Sequence, residues 1–356
     1  MRKENKKMLH VIPSLVNGGA ENLLLNTIQL LSDYEHHIVC FIEIPGRMEL
    51  FREVATVHLK KSRIISFASF LFLRDLKKKL QPDLIHAHLL KANWLSRVAF
   101  PRSKKLFNSI HSPYGKDAFC YNKLSLWVEM ITYKLSNVIL IFVSDYVKED
   151  YAHYITLKNA HYVLHNFVPK DYFSLNCVKY SGMSDLRLLA VGNIKPLKNY
   201  QLLIDAFKQV RHLPVSLDVY GYGCDLNKYQ DEAIKHGLSI SFKGSIKSLM
   251  MVLNEYHALI LPSKYEGFSI ALIEAMAASM PLLLSDIPMF RKLAQKNAYF
   301  FNPEKVEECV QAITRAYREG FFEDAVVENK QVVKNNFSEE IYKKNLLAIY
   351  KEVFES

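Results

Sequence analysis

Ala258-Leu259-Ile260-Leu261-Pro262-Ser263-Lys264-Tyr265-Glu266-Gly267-Phe268-Ser269-Ile270-Ala271-Leu272-Ile273-Glu274-Ala275-Met276-Ala277 is the stretch whose reading decides the fold. It begins with a short apolar run ending at Pro262, the pattern of a strand buried on both faces in a parallel sheet. A polar turn holding Glu266 and Gly267 follows, and then a helix of small and apolar residues. Glu274 falls about one and a half turns into that helix. The start of such a helix offers unpaired N–H groups and a positive dipole end to an anionic ligand. Gly267 lets that ligand approach the backbone closely. The active site is expected here.

Similar strand-and-helix units run outward in both directions. Toward the N-terminus, Met8–Leu15, His37–Ile44, Leu84–His88, Lys105–His111 and Val138–Val143 read as strands, with an amphipathic helix from Ala20 and further helical stretches between them. After residue 185 the rhythm begins again with Arg187–Gly192, Ser216–Gly221, Leu238–Phe242, His257–Pro262 and Pro281–Ser285. Between the two series lies the polar segment Cys177–Asp185, the expected linker. The expected fold class is therefore α/β, with two Rossmann-like, doubly wound parallel-sheet domains at 1–178 and 179–337. The stretch 338–356 reads as a terminal helix behind Ser338, packing back near the first domain.

Length supports two domains, since 356 residues exceed one typical core. The five cysteines, Cys40, Cys120, Cys177, Cys224 and Cys309, are scattered and show no metal-like spacing, so a reducing compartment and no structural zinc are expected. The apolar run Met8–Leu15 is too short for a signal segment or a membrane span. A cytoplasmic protein is the expectation. The net charge of +10 is uneven: residues 1–178 carry 24 Lys/Arg against 15 Asp/Glu, and residues 179–356 carry 22 against 21. No nucleic-acid motif accompanies the excess, so no nucleic-acid partner is expected. An anionic membrane surface suits it better.

Several turns carry residues suited to phosphate or sugar chemistry. Asn17-Gly18-Gly19-Ala20-Glu21 joins the first strand to the first helix, where Gly18 and Gly19 permit a tight turn beside a helix start. Val191-Gly192-Asn193-Ile194-Lys195-Pro196-Leu197-Lys198 closes a strand and offers Lys198 as a point charge for phosphate, with Lys195 or Lys264 as a helper. Gly221-Tyr222-Gly223 follows another strand, but Leu226 stands where a dinucleotide fingerprint needs a third glycine. His86 and His88 alternate along one strand and His111 ends the next. Two histidines on one strand lack a third ligand, so no metal site is expected. His86 reads as a core histidine, and His88 lies nearer the ligand-binding carboxyl edge. Ser144 reads as a helix cap.

The Glu266–Glu274 block resembles the Glu-x7-Glu signature of retaining glycosyltransferases of family 4, and the resemblance runs the length of the chain. It implies the GT-B fold, two Rossmann-like domains facing across a cleft. It further implies transfer of a sugar from a nucleotide-diphospho-sugar, UDP- or GDP-linked, to an acceptor hydroxyl, with retained anomeric configuration and no cofactor or metal. On that resemblance Glu266 contacts the transferred sugar and Glu274 the nucleotide ribose, with Gly267, Phe268 and Ser269 beside the donor. Lys198 matches the lysine of the basic pair that holds the diphosphate, whereas Asn193 replaces the usual arginine. Gly18 and Gly19 match the Gly-Gly-Ala-Glu turn facing the donor phosphates and the acceptor. His111 matches the histidine that contacts the donor sugar. His165-Asn166-Phe167-Val168 resembles an Asn-Gly-Val turn with Phe167 in place of glycine.

The acceptor implied is a glycan or lipid-linked glycan of a growing surface polysaccharide. A peripheral position on the inner face of the cell membrane would follow. Lys60–Lys79 fits such a surface, because Lys60, Lys61, Arg63, Arg74, Lys77, Lys78 and Lys79 flank the apolar run Ile64–Leu73 as in an amphipathic basic helix. Two rival readings differ in their chemistry. A nucleotide-sugar epimerase or phosphorylase-like enzyme of the same fold would have less use for a basic first domain. A catalytically silent carbohydrate- or lipid-surface binding protein would ignore the loss of Glu266.

Overall fold

Short runs of branched and aromatic residues alternate with helical stretches, and they settle into two parallel sheets. The computed structural model describes residues 6–16, 18–44, 46–115, 122–177 and 184–354. The first series comprises β1 (Lys7–Val11), α1 (Gly19–Leu30), β2 (Glu35–Cys40), α2 (Arg47–Arg52), β3 (Thr56–Leu59), α3 (Phe67–Leu80), β4 (Leu84–His88) and α4 (Leu90–Ala99). It continues with β5 (Leu106–Ile110), α5 (Lys123–Lys134), β6 (Ile139–Phe142), α6 (Asp145–Tyr154) and β7 (His161–Val163). The seven strands lie in the order β3-β2-β1-β4-β5-β6-β7, every pair parallel.

The second series comprises β8 (Leu186–Val191), α7 (Tyr200–Gln209), β9 (Val215–Tyr220), α8 (Leu226–Lys235), β10 (Ile240–Gly244), β11 (Ala258–Leu261) and α9 (Ile270–Ala277). Then come β12 (Leu282–Ser285), α10 (Pro288–Ala294), β13 (Tyr299–Phe301), α11 (Val306–Glu319), α12 (Glu323–Asn336) and α13 (Glu339–Phe354). This sheet runs β10-β9-β8-β11-β12-β13, again all parallel. In both sheets the order reverses beside the first strand, the switch point at which open α/β sheets bind ligands beyond the carboxyl ends of their strands.

Burial follows from this layering. β4, β11 and β12 are buried at every position, because helices cover both faces of a parallel sheet. Beneath α4, α5 and α6 sits a polar node. Arg97 donates to Asn108 at 2.6 Å and to Glu129 at 2.6 Å, and the Tyr151 hydroxyl donates to the same Glu129 oxygen at 2.6 Å. Both charged side chains are wholly shielded from solvent. This network, joined by the Trp94 indole N–H that donates to the other Glu129 oxygen, offsets a desolvation cost of several kcal/mol per ion.

Two expectations are corrected here. The compact units are 1–166 with 340–356, and 167–339, so the division falls before Phe167 rather than at 178. The reason is that residues 167–177 are fastened to the second unit. Tyr172 shares a hydrogen bond of 3.1 Å with Ser248 and accepts one from the Met250 N–H, and the Cys177 N–H donates to the Ala278 carbonyl at 3.0 Å. Most of the expected linker, 178–183, lies outside the described residues, as do Asn17 and Cys120. In the first unit, α13 places Tyr342 on Thr27 and Tyr350 on His86.

The basic stretch 60–79 is not one helix. Residues 60–66 form an irregular lead, and α3 starts at Phe67, where the Ser66 hydroxyl caps it by accepting from the Ser69 N–H. No helix among the described residues is long and apolar enough to cross a membrane.

Candidate active site

The site of the second unit is assembled from two loops at the carboxyl edge of its sheet. Pro262 ends β11, and the Ser285 hydroxyl at the end of β12 donates to the Ser263 carbonyl at 2.5 Å, which pins the turn. The loop after β8 runs through a short 3-10 turn, Pro196–Lys198, to Asn199, whose φ of 56° lies in the left-handed region that asparagine tolerates. The Asn199 amide donates to the Pro262 carbonyl at 3.2 Å and to the Pro303 carbonyl at 2.8 Å. The Lys264 N–H donates to the Leu197 carbonyl at 2.9 Å. These bonds stitch the two loops together before any ligand arrives.

The stitching brings the two expected charges into contact. Lys198 Nζ donates to Glu266 Oε1 at 2.6 Å, and the Ser263 hydroxyl donates to the same oxygen at 2.8 Å. The side chains are only 19% and 9% exposed, so solvent screens the pair far less than a surface bridge. Burial and the nearby Glu266 charge both push the Tyr200 phenol up, and it donates its proton to the Gly192 carbonyl at 3.2 Å. Glycine is required next door. A Cβ on Gly221 would stand 1.9 Å from the Gly192 carbonyl oxygen, and one on Gly223 would stand 1.9 Å from that of Ile194. The loop after β9 thus lies directly on the Lys198 loop.

Glu274 is the fifth residue of α9, and burial pushes its carboxyl up to about 7, with a hydrogen bond from Tyr172 opposing the rise. The carboxyl is then part protonated near neutrality, a state that can both donate to and accept from a hydroxyl. Tyr172 was not foreseen, since a tyrosine in a turn a hundred residues away carries no sequence signal. Ser269 occupies the N-cap of α9 without a side-chain cap bond, which leaves the first-turn N–H groups without that partner. Gly267 is buried beside Glu266, and the Phe268 ring meets Phe337 edge-on at 5.3 Å. Asn193 is exposed on the β8 loop. Lys264, an expected helper, is instead bound to Glu304 at 2.9 Å.

In the first unit, the remaining expected residues share the carboxyl edge of their own sheet. Gly18 is the N-cap of α1 with Gly19 its first residue, and a Cβ on Gly18 would stand 2.4 Å from Glu21 Oε2. The Glu21 carboxyl is therefore tucked under the Gly-Gly turn, where burial pushes it up to about 7 and its own N–H and the Arg47 charge pull it back. Its part in the turn was legible only as the last letter of Gly-Gly-Ala-Glu. His111 follows β5, and burial pushes its imidazole down to about 4, so it is neutral near pH 7. Ser144 caps α6 by accepting from the Val147 N–H at 3.2 Å.

The structure sets a third histidine beside the two on β4. His10 of β1 supplies the third imidazole that one strand could not. Ligand nitrogens of His10, His86 and His88 all lie within 4.8 Å of one another, and all three residues are buried. The pattern was invisible in sequence because it depends on the register that pairs His10 with His86.

Comparison with known proteins agrees with this architecture. Residues 17–172 match the family described as Glycosyltransferase Family 4, and residues 181–335 match that described as Glycosyl transferases group 1. An uncharacterized glycosyltransferase of Methanocaldococcus jannaschii is 26% identical over 287 residues, 76% of each chain. The capsular polysaccharide biosynthesis glycosyltransferase CapH of Staphylococcus aureus is 24% identical over 315 residues, 83% of this chain and 84% of that one. Among solved structures, HepE of Anabaena in complex with UDP and glucose superposes with a TM-score of 0.82 at 16% identity, over 98% of this chain and 100% of that one. With both of its Rossmann-like units matched in this way, the chain belongs to the glycosyltransferases of family 4 and group 1, and it is a GT-B enzyme.

Proposed function

We propose that this glycosyltransferase retains anomeric configuration as it moves a sugar from a UDP- or GDP-linked donor to an acceptor hydroxyl of a glycan or lipid-linked glycan. The single observation that carries the reading is the Lys198–Glu266–Ser263 constellation, held at 2.6 and 2.8 Å beside the start of α9. Lys198 and the first N–H groups of α9 supply positive potential for the diphosphate as charge accumulates on it. Glu266 supplies negative potential where the sugar becomes oxocarbenium-like. Glu274 meets the ribose hydroxyls, with Gly267, Phe268 and Ser269 shaping the donor pocket and Asn193 at its edge. His111, Gly18 and Gly19 serve the donor sugar, its phosphates and the acceptor. The C1–phosphate bond breaks with its electron pair going to the diphosphate oxygen, and the acceptor oxygen bonds to C1 as its proton passes to an oxygen of that departing diphosphate. No metal is needed for this chemistry, because the lysine and helix end do the neutralising.

One relative named above supports a surface-polysaccharide acceptor, since CapH is described as acting in capsular polysaccharide biosynthesis. The expected product, read by proton NMR with UDP- and GDP-sugars and lipid-linked saccharide acceptors, keeps the donor's anomeric configuration. An inverted product would overturn the reading.

We infer in addition that the first unit works on an anionic membrane at the cytoplasmic face. Three features support this. α3, α4 and α5 each occupy a crossover stepping toward β7, so right-handed connection puts them on one side of the sheet. Their outward positions expose Phe67, Leu71, Val98, Leu124, Trp127 and Met130. Residues 60–134 hold 15 Lys/Arg against 4 Asp/Glu, a greater excess than the whole chain's +10. Each basic residue near an anionic surface is worth about 1 kcal/mol, and the exposed rings add apolar insertion. The chain is expected to sediment with phosphatidylglycerol vesicles at low salt, and Trp127→Ser with Lys77, Lys78 and Lys79 changed to Glu should abolish this. Equal sedimentation with purely zwitterionic vesicles would refute the surface.

A further inference from the structure

One face of the first sheet carries imidazoles where branched apolar residues would be ordinary. His10 pairs in register with His86, His88 lies two residues further along β4, and His88 pairs with Ser109 of β5. Side chains two apart on a strand share a face, so all four point the same way. α1 covers them with Leu23, Leu24 and Thr27, and α13 with Tyr342. Between these layers lies a cavity of about 20 Å³, also lined by Asn166. A space of that size holds a single water-sized occupant.

The hydrogen bonds around the cavity fix what it offers. His36 Nε2 lies 2.9 Å from the Leu31 carbonyl, which can only accept, so that nitrogen carries the proton. The His36 Nδ1 lone pair therefore accepts from His10 Nε2 at 3.1 Å. That leaves His10 Nδ1 as a bare lone pair, and it meets no hydrogen-bond partner among the described residues. Both ring nitrogens of His88 and the Asn166 Oδ1 are likewise buried without a partner among them. His86 is bonded on both sides, to the Tyr350 hydroxyl at 2.9 Å and the Ser109 hydroxyl at 2.8 Å. The cavity is thus ringed by acceptors: His10 Nδ1, one lone pair of His88 and Asn166 Oδ1. One water has two protons for three acceptors, whereas a cation satisfies all of them at once.

We propose that His10, His86 and His88 form a binding site for a borderline divalent transition ion, zinc foremost, with the fourth position facing Asn166. Neutral imidazoles suit such an ion, and a purely oxygen-seeking cation would not choose them. His86 gives its Nε2, releasing Ser109, and keeps Tyr350 as the outer partner of Nδ1. His10 keeps His36 in the same outer role, an arrangement that orients ligating histidines. The nitrogens, now within 4.8 Å, draw together to roughly 3.3 Å, the edge of a tetrahedron with bonds of about 2.0 Å. The ion would join β1 to β4 and, through His36 and Tyr350, brace the end of α1 and α13. This is a structural site in the first unit, and it does not depend on the proposed transfer reaction.

The test uses the full chain without an affinity tag, saturated with zinc sulfate and desalted. Metal analysis by mass spectrometry is expected to find about one zinc per chain, and added zinc should raise the melting temperature. His88→Ala and His10→Ala should each reduce retained zinc at least about tenfold, while His58→Ala should leave it unchanged. That control removes the other histidine pair, His37–His58 at 3.1 Å. X-ray absorption of the zinc-loaded wild-type chain is expected to show imidazole nitrogens and no sulfur, a result that stands even where a variant fails to fold. Zinc that washes out of the wild type, survives His88→Ala, leaves with His58→Ala or shows a sulfur neighbour would overturn the proposal.

Discussion

Glu266→Gln is expected to lower the transfer rate by about 10²-fold or more while leaving nucleotide binding nearly intact. The amide keeps the volume of the carboxylate, and its oxygen can still accept from Ser263 and Lys198, which lie 2.8 and 2.6 Å from Glu266 Oε1. What it loses is the negative charge. Fixed charges aimed at a developing transition-state charge act in a shielded site, and removal of one such group commonly costs about 10²–10³ in rate. An interaction made only in the transition state lowers kcat and kcat/KM together, which separates it from uniform binding. Steady-state kinetics with the cognate donor measures this directly. Unchanged kcat would mean that Glu266 plays no chemical part, as the silent-binding reading requires.

Lys198→Ala is expected to weaken donor binding and to slow transfer as well. A charged hydrogen bond contributes about 1.5–3 kcal/mol, equivalent to roughly ten- to hundredfold in donor affinity. The substitution has a second consequence that Glu266→Gln lacks. It leaves the Glu266 carboxylate, only 9% exposed, without its cation. Lys264→Ala is the matched control. That ammonium sits 2.9 Å from Glu304, whose side chain is 66% exposed, and its loss is expected to change donor affinity less than about threefold. Equal effects of the two substitutions on donor affinity would remove Lys198 from the diphosphate site.

Much of this was legible in the sequence, for reasons that particular residues make plain. The strands read correctly were the central ones, such as Leu84–His88 and Ala258–Leu261, where burial on both faces demands continuous apolar runs. The strands missed were β3, β7 and β13, all sheet edges. Thr-Val-His-Leu and His-Tyr-Val are short, and no residue of either strand is fully buried, so neither shows a decisive period. The domain boundary was misplaced because polarity marked 177–185, whereas Tyr172 and Cys177 bind the preceding residues to the second unit.

The site divided in the same way. Glu266, Glu274 and Lys198 stood in recognisable local patterns. Their geometry rests on Asn199 and on a backbone bond between Lys264 and Leu197, which no local pattern announces. The nearness of His10 to His86 and His88 was not legible, because His10 and His86 are 76 positions apart and meet only through strand register.

The most direct test of a donor site in the second unit is thermal unfolding of the chain with UDP, GDP, ADP and CMP, beside Glu274→Ala and Lys198→Ala. A ligand at about a hundredfold over its dissociation constant adds roughly 2.7 kcal/mol to stability, a readily visible rise in melting temperature. The account predicts a rise with UDP or GDP that both substitutions diminish or abolish. No rise with any of the four nucleotides, or an equal rise in both variants, would contradict it.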